Sequence, residues 1–309
     1  MAALWSGIVT SAAQEPQVIA LVRLLAAYGP LNVTLVRAHS RMLESDALHA
    51  TSAELDQLAA HVRSDMVDAH YLLEFDAAET GILDAAKHTH ADLIVLKPHV
   101  RRGLDALMRP SVTSKVMTSA TAPLLIWPER AAKTRVEGLL HLPGAAVILP
   151  LDGGELAERA LPYALDLANM FERSLLLMRV TPDVTPPMTV VGEGALVTSD
   201  VLWAEQEDAR SYLAKIRERY ASDAILPIQS KVMTGTPGVR ILDLAETQPG
   251  SAIVMCTHGR GPLSRAVLGS VTTHIIHEGA TPTLVIPPHA PAPLARTASL
   301  KRPTAVVEG

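Results

Sequence analysis

Aromatic side chains are scarce, at 3% of 309 residues with only two phenylalanines. Proteins that hold nucleic acid by stacking its bases need such platforms. The formal net charge of −5 gives phosphate backbones no attraction either. A nucleic-acid partner is therefore not expected. Cysteine is nearly absent: Cys256 stands alone, so no intrachain disulfide can form. One thiol suits a reducing cytosol, and a cytoplasmic setting is expected. No apolar run approaches the roughly 20 residues of a membrane helix, so no membrane partner is expected. The opening "MAALWSGIVTSAAQ" is briefly apolar but lacks a cationic region ahead of it. That argues against a secretory signal and for a first strand.

What is present is apolar material, 48% of the chain against 19% charged. This is a globular profile, and the length suits two domains of about 150 residues. The chain also repeats itself. Residues 91–128, "ADLIVLKPHVRRGLDALMRPSVTSKVMTSATAPLLIWP", align without a gap on residues 250–287, "GSAIVMCTHGRGPLSRAVLGSVTTHIIHEGATPTLVIP", at an offset of 159. His99 falls on His258, Arg101 on Arg260, Ser111 on Ser270 and Pro123 on Pro282. Earlier, "GPLNVTLVRAHS" corresponds to "ERSLLLMRVTPD". A repeat this long is a two-domain signal. The stretch 129–144 is charged and then punctuated by Gly and Pro, as a linker would be. The expected division is a first domain at 1–136, a linker at 137–144, a second domain at 145–288 and a tail at 289–309. From Pro287 on, proline recurs without apolar periodicity, which reads as a disordered tail. Its "RTAS" is either a phosphorylation site or plain solvated chain.

Strand and helix patterns alternate through the second half. Strands are expected at 145–151, 174–180, 225–235, at "SAIVMCT" and at 281–287, with helices at 155–171, 199–220 and 236–248. "TPPMTVVGEG" reads as a loop. In the first helix Leu156, Ala160, Ala164 and Ala168 share a face, and Pro162 should bend it. Such alternation argues for a parallel α/β sheet with right-handed crossovers.

In that fold, ligands bind outside the carboxyl ends of the strands. The stretch "CTHGRGPLSRAVLGSVT" (256–272) follows the fourth strand. Gly259 comes directly after His258, and nine residues later Gly269-Ser270 opens a helical pattern. Helix-start N–H groups attract anions, and Ser270, Thr272, Arg260 and Arg265 add donors and charge. A polyphosphate fits. So does an ordinary turn in which Ser270 or Thr272 merely caps a helix. The spacing is neither a Walker A loop nor the dinucleotide fingerprint. Asp152, next to Gly153 and Gly154, ends the domain's first strand near the same mouth. It could accept hydrogen bonds from a ribose or base, or cap the next helix.

Taken together, "ILPLDGGELAERALPYA", "VMTGTPGVRILDLA" and the stretch from Ile253 to Pro287 resemble the universal stress protein family over nearly all of 145–287. The family's signature is Gly, two residues, Gly, nine residues, Gly-Ser/Thr. Gly259 and Gly269-Ser270 match its later parts, while Cys256 replaces the first glycine. The resemblance implies two tandem Rossmann-like domains of the adenine nucleotide alpha hydrolase type. Each would be a five-stranded, mainly parallel sheet flanked by helices. It implies that Asp152 contacts the nucleoside and that adenine packs at Val180. Met255, Cys256 and His258 would line the site, and Gly259, Gly269, Ser270, Val271 and Thr272 would contact phosphates and ribose. The implied ligand is an adenine nucleotide, ATP alone or with Mg2+, although family members divide into ATP binders and others. The implied role is stress response through nucleotide-dependent regulation or protein interaction. A slow ATPase and a ligand-free scaffold are the alternatives. His258 is the only candidate general base, and a histidine lining a site is a poor warrant for catalysis. Single-domain relatives pair through the fifth strand. Here "APLLIWP" and "TPTLVIP" could pair within one chain as an intrachain pseudo-dimer, leaving a homodimer open.

The first half departs from the pattern. Val100 stands at the position of Gly259 and Pro110 at that of Gly269, while Thr10 is matched to Asp152. Val resists positive φ and Pro has no N–H to donate. No ATP site of the family's kind is expected there. Lys97, Arg101, Arg102 and Arg109 form either another anion site or a solvated loop face. His88, His90 and Asp92 sit close in sequence but lack a full coordination set, so no metal is expected. Cys256 reads as a small, partly buried side chain that a bound nucleotide could make redox-sensitive.

Overall fold

The computed structural model describes residues 7–10, 16–39, 42–98, 111–128, 145–183, 193–257 and 268–291. The first half runs β1 (Gly7–Thr10), α1 (Pro16–Ala26), β2 (Leu31–Ala38), α2 (Ser45–Val62), β3 (Val67–Glu74), α3 (Ala78–His88), β4 (Leu93–Leu96), α4 (Val112–Ser119) and β5 (Leu124–Ile126). The second runs β6 (Ala146–Pro150), α5 (Glu155–Glu158), α6 (Leu161–Met170), β7 (Ser174–Thr181), α7 (Glu193–Tyr220), β8 (Gln229–Thr234), α8 (Pro237–Glu246), β9 (Ala252–Cys256), α9 (Ser270–Glu278) and β10 (Thr283–Ile286).

All ten strands form one sheet in the order β3-β2-β1-β4-β5-β10-β9-β6-β7-β8. Every pairing is parallel except β5 with β10. The inner strands "LIVL" (β4) and "AVILP" (β6) are apolar on both faces because helices cover both. At the centre Leu125 pairs with Leu284, and 284 − 125 = 159, the offset of the sequence repeat. The two halves are thus related by a pseudo-two-fold axis through this pair. The tandem domains behave as the expected intrachain pseudo-dimer.

Several elements differ from the sequence reading. The helix expected at 155–171 is two pieces, because Pro162 takes the first turn of α6 and the chain restarts at Leu161. Ala160, Ala164 and Ala168 are buried as expected, but Leu156 lies on the detached piece and is 42% exposed. The strand expected from Ile225 begins only at Gln229, since Pro227 cannot donate to a ladder. Helix α7 begins at Glu193, taking in the last two residues of the expected loop. The segment after Pro287 does not immediately become tail. Ala290 is buried, Arg159 Nη2 donates to its carbonyl at 3.4 Å, and the Tyr163 hydroxyl donates to the Pro291 carbonyl. The linker at 137–144 and the tail beyond Pro291 lie outside the described residues.

Candidate functional site

Within each half the strand order reverses direction once, between β1 and β4 and again between β6 and β9. In open α/β sheets such neighbours mark the place, outside their carboxyl ends, where ligands bind. Beyond β6 the chain reaches Asp152, then Gly153 at φ +81°. Asp152 Oδ1 accepts from the Gly154 N–H at 2.8 Å, forming a turn that leads into α5. The carboxylate thus builds the entry to the helix. Its field also reaches the Cys256 thiol and Tyr212.

Beyond β9, Thr257 extends the ladder by donating its N–H to the Ile286 carbonyl at 3.1 Å. Its own carbonyl accepts the Gly269 N–H at 2.9 Å. Thr272 donates its hydroxyl to the Cys256 carbonyl at 3.2 Å and lies 3.4 Å from that of Thr257. Both ends of the connection between β9 and α9 therefore meet at the strand end. These bonds sharpen two sequence assignments. Gly269 adopts an extended conformation, φ −60° and ψ 141°, and its N–H faces the strand. Buried Thr272 ties helix to sheet with its hydroxyl.

Gly269 is the N-cap of α9 and makes no side-chain cap bond. In the first turn Ser270 is exposed and Val271 half-buried, and the N-cap offers no side chain to its N–H groups. The first half differs at the matching place. There Ser111 is the N-cap of α4, and its Oγ accepts the Ser114 N–H at 3.1 Å.

Met255 and Cys256 point to opposite faces of the sheet. Met255 joins the core with Ile148, Met178 and Ile275, whereas Cys256 packs on the α6 side. Burial pushes the Cys256 thiol up to about 12. Arg159 and a hydrogen bond with the Ala160 backbone pull the other way, and the Asp152 carboxylate adds to the rise. Burial thus keeps this thiol in its neutral, weakly reactive form.

Val180, next to last in β7, lines a cleft of about 520 Å³ with Pro182, Asp183, Gly235, Thr236, Pro237, Val239 and Arg240. Gly235 holds φ +131°, and a Cβ there would come within 2.8 Å of Arg240 Nε. That nitrogen donates to the Thr234 carbonyl at 2.9 Å, so Arg240 folds back over the strand end. Sequence reasoning took Val180 as the wall and missed the opposite side. The signal was available in "TGTPG" (234–238), which breaks the chain at a strand's carboxyl end.

His258, Gly259, Arg260 and Arg265 lie outside the described residues, as do His99, Val100, Arg101, Arg102, Arg109 and Pro110. The ladders correct one match in the first half. Ile8 pairs with Leu93 as Val147 pairs with Ala252, so Thr10 corresponds to Leu149 and not to Asp152. Asp92 Oδ2 accepts the Gly7 N–H at 3.1 Å, a structural use. Among the described residues no group of three His, Cys, Asp or Glu could hold a metal ion. No described helix is long and apolar enough to cross a membrane.

Sheet order, switch points and helix placement define a tandem Rossmann-like α/β protein. Within that class the family is also clear. The model of the universal stress protein family matches residues 16–128 and again 146–287. The chain belongs to the universal stress protein family, with two tandem family domains. It is 24% identical over 269 residues to a universal stress protein of Mycolicibacterium smegmatis, covering 84% of this chain and 82% of that one. It is 28% identical over 141 residues to one from Methanocaldococcus jannaschii, covering 45% and 80%. The crystal structure of a universal stress protein from Archaeoglobus fulgidus superposes with a TM-score of 0.61 at 17% identity, covering 92% of this chain and 96% of that one. At that identity the likeness speaks for the fold.

Proposed function

We propose that the carboxyl edge of the second half binds an adenine nucleotide, ATP alone or with Mg2+, and that the first half is its non-binding structural partner. The observation that carries this reading is the start of α9. A glycine N-cap without a side-chain acceptor is fixed to the end of β9 at the switch point. A first turn of this kind suits phosphate oxygens. Gly259, Arg260 and Arg265 precede it in sequence and supply the rest of the motif. Asp152 beyond the end of β6 suits a ribose hydroxyl. The cleft beside Val180, at about 520 Å³, falls in the size range of small-molecule sites. In the first half the matching helix start is closed by Ser111. The nucleotide would act as a regulatory ligand in stress response, its bound state read by a protein partner.

The test is to denature the purified protein and identify any released nucleotide, and to measure the melting temperature with and without ATP. Bound adenine nucleotide, or an ATP-dependent rise that Asp152→Ala reduces, is expected. No released nucleotide together with no rise in the wild type overturns the reading.

A further inference from the structure

Helix α9 does not belong to one half alone. Its consecutive residues Ile275 and Ile276 are 1% and 4% exposed, yet they enter different cores. Ile275 joins Ile148, Ile253 and Met255 of its own half. Ile276 joins a core built otherwise almost wholly from the first half, including Ile82, Val116, Met117 and Leu124. Leu268 packs against that same first-half core. Leu268 directly precedes Gly269, whose N–H is held by Thr257. The N-cap is thus gripped from two sides, by a hydrogen bond within its own half and by a leucine seated on the other. Applying the repeat offset, the residue matching Leu268 is Arg109, so the sequence does not reproduce the leucine in the opposite direction.

We propose that Leu268 is a positioning residue through which the first half sets the start of α9. The proposal rests on the nucleotide reading for its functional consequence, but the anchoring itself does not need a ligand. An anion site made of helix-start N–H groups works only when those groups are held to within about half an ångström. Removing the leucine leaves the helix start held by hydrogen bonds within its own half, from Gly269 to Thr257 and from Thr272 to the end of β9. The first turn then opens more often, and phosphate oxygens meet a less ordered set of donors. The first half, lacking its own motif, would contribute to the second half's site by packing.

The test uses the full chain and three variants. Leu268→Ala removes the anchor, and Leu268→Met restores an apolar chain of similar volume. Leu83→Ala trims another leucine that packs on the same core from within the first half. Circular dichroism and melting temperature establish that each variant folds. Hydrogen exchange of the Gly269 and Thr273 amides, which are hydrogen-bonded at this helix start, is followed without nucleotide, and ATP affinity is measured by calorimetry. Leu268→Ala should speed exchange in that turn and weaken ATP roughly tenfold, within the range of couplings carried through packed side chains. Leu268→Met and Leu83→Ala should stay near wild type in both. Unchanged exchange in Leu268→Ala overturns the proposal, as does equal loss of protection in Leu83→Ala. If wild-type protein takes up no ATP, the nucleotide reading falls, while exchange still decides the anchoring.

Discussion

Cys256 shows how far one position in a strand fixes a side chain's chemistry. It ends β9 on the α6 face, sealed against the core, with the Asp152 carboxylate raising its titration and Arg159 lowering it. Burial dominates, and the thiol stays neutral. The folded protein is expected to resist thiol reagents at pH 8, reacting only on unfolding. The linkage has a definite sign. The folded thiol titrates at about 12, above its ordinary value of 9.0. Its contribution to stability is complete below pH 9 and is lost as the pH rises toward 12. Tyr163, pushed by burial from 10.0 to about 12, adds to the same window. Urea melts at intervals from pH 8 to 11 should show stability falling from about pH 9 upward. A flat profile, or rapid thiol modification of the folded protein at pH 8, would contradict this account. At this scale the sequence was only half legible. It marked Thr272 as a hydroxyl near the motif, but not that its proton goes to the carbonyls of Cys256 and Thr257. A spacing does not reveal whether a hydroxyl faces the ligand or the strand behind it.

At the scale of elements, the two copies of one helix start differ by a cap. Helix α4 is closed by the Ser111 hydroxyl, while α9 begins on Gly269 without a side-chain bond. Ser111→Ala should cost about 1 kcal/mol in stability and leave nucleotide binding unchanged. Ser270→Ala, in which no cap is lost, should leave stability within about 0.5 kcal/mol. Chemical denaturation of the two variants side by side separates them, and equal losses would remove the asymmetry. Periodicity located nearly every element of the second half, because buried strands such as β6 are continuous apolar runs. Its errors sit at prolines. Pro162 divides α5 from α6 and leaves Leu156 outside, and Pro227 delays β8. The segment through Ala290 was misread for the opposite reason. Its backbone is held by Arg159 and Tyr163 from α5–α6, partners far away in sequence.

For the whole molecule, the repeat offset of 159 already contained the central pairing of Leu125 with Leu284. Pairing the two fifth strands inside one chain covers apolar edges that would otherwise seek partners. It leaves β3 and β8 as outer edges, with charged residues such as Asp68 and Lys231 on them. What the repeat could not convey is that α9 is shared between the halves. Ile275 and Ile276 look alike in sequence and serve different cores. The same topology gives the chain two switch points, and the second has Asp152 beyond β6, the glycine N-cap of α9 and the glycine spacing of the sequence. The measurement that bears most directly on this is the stoichiometry of ATP on the intact chain, by calorimetry or native mass spectrometry. One nucleotide per chain is predicted, abolished or strongly weakened by Gly259→Val. Two per chain, or none, would contradict the account.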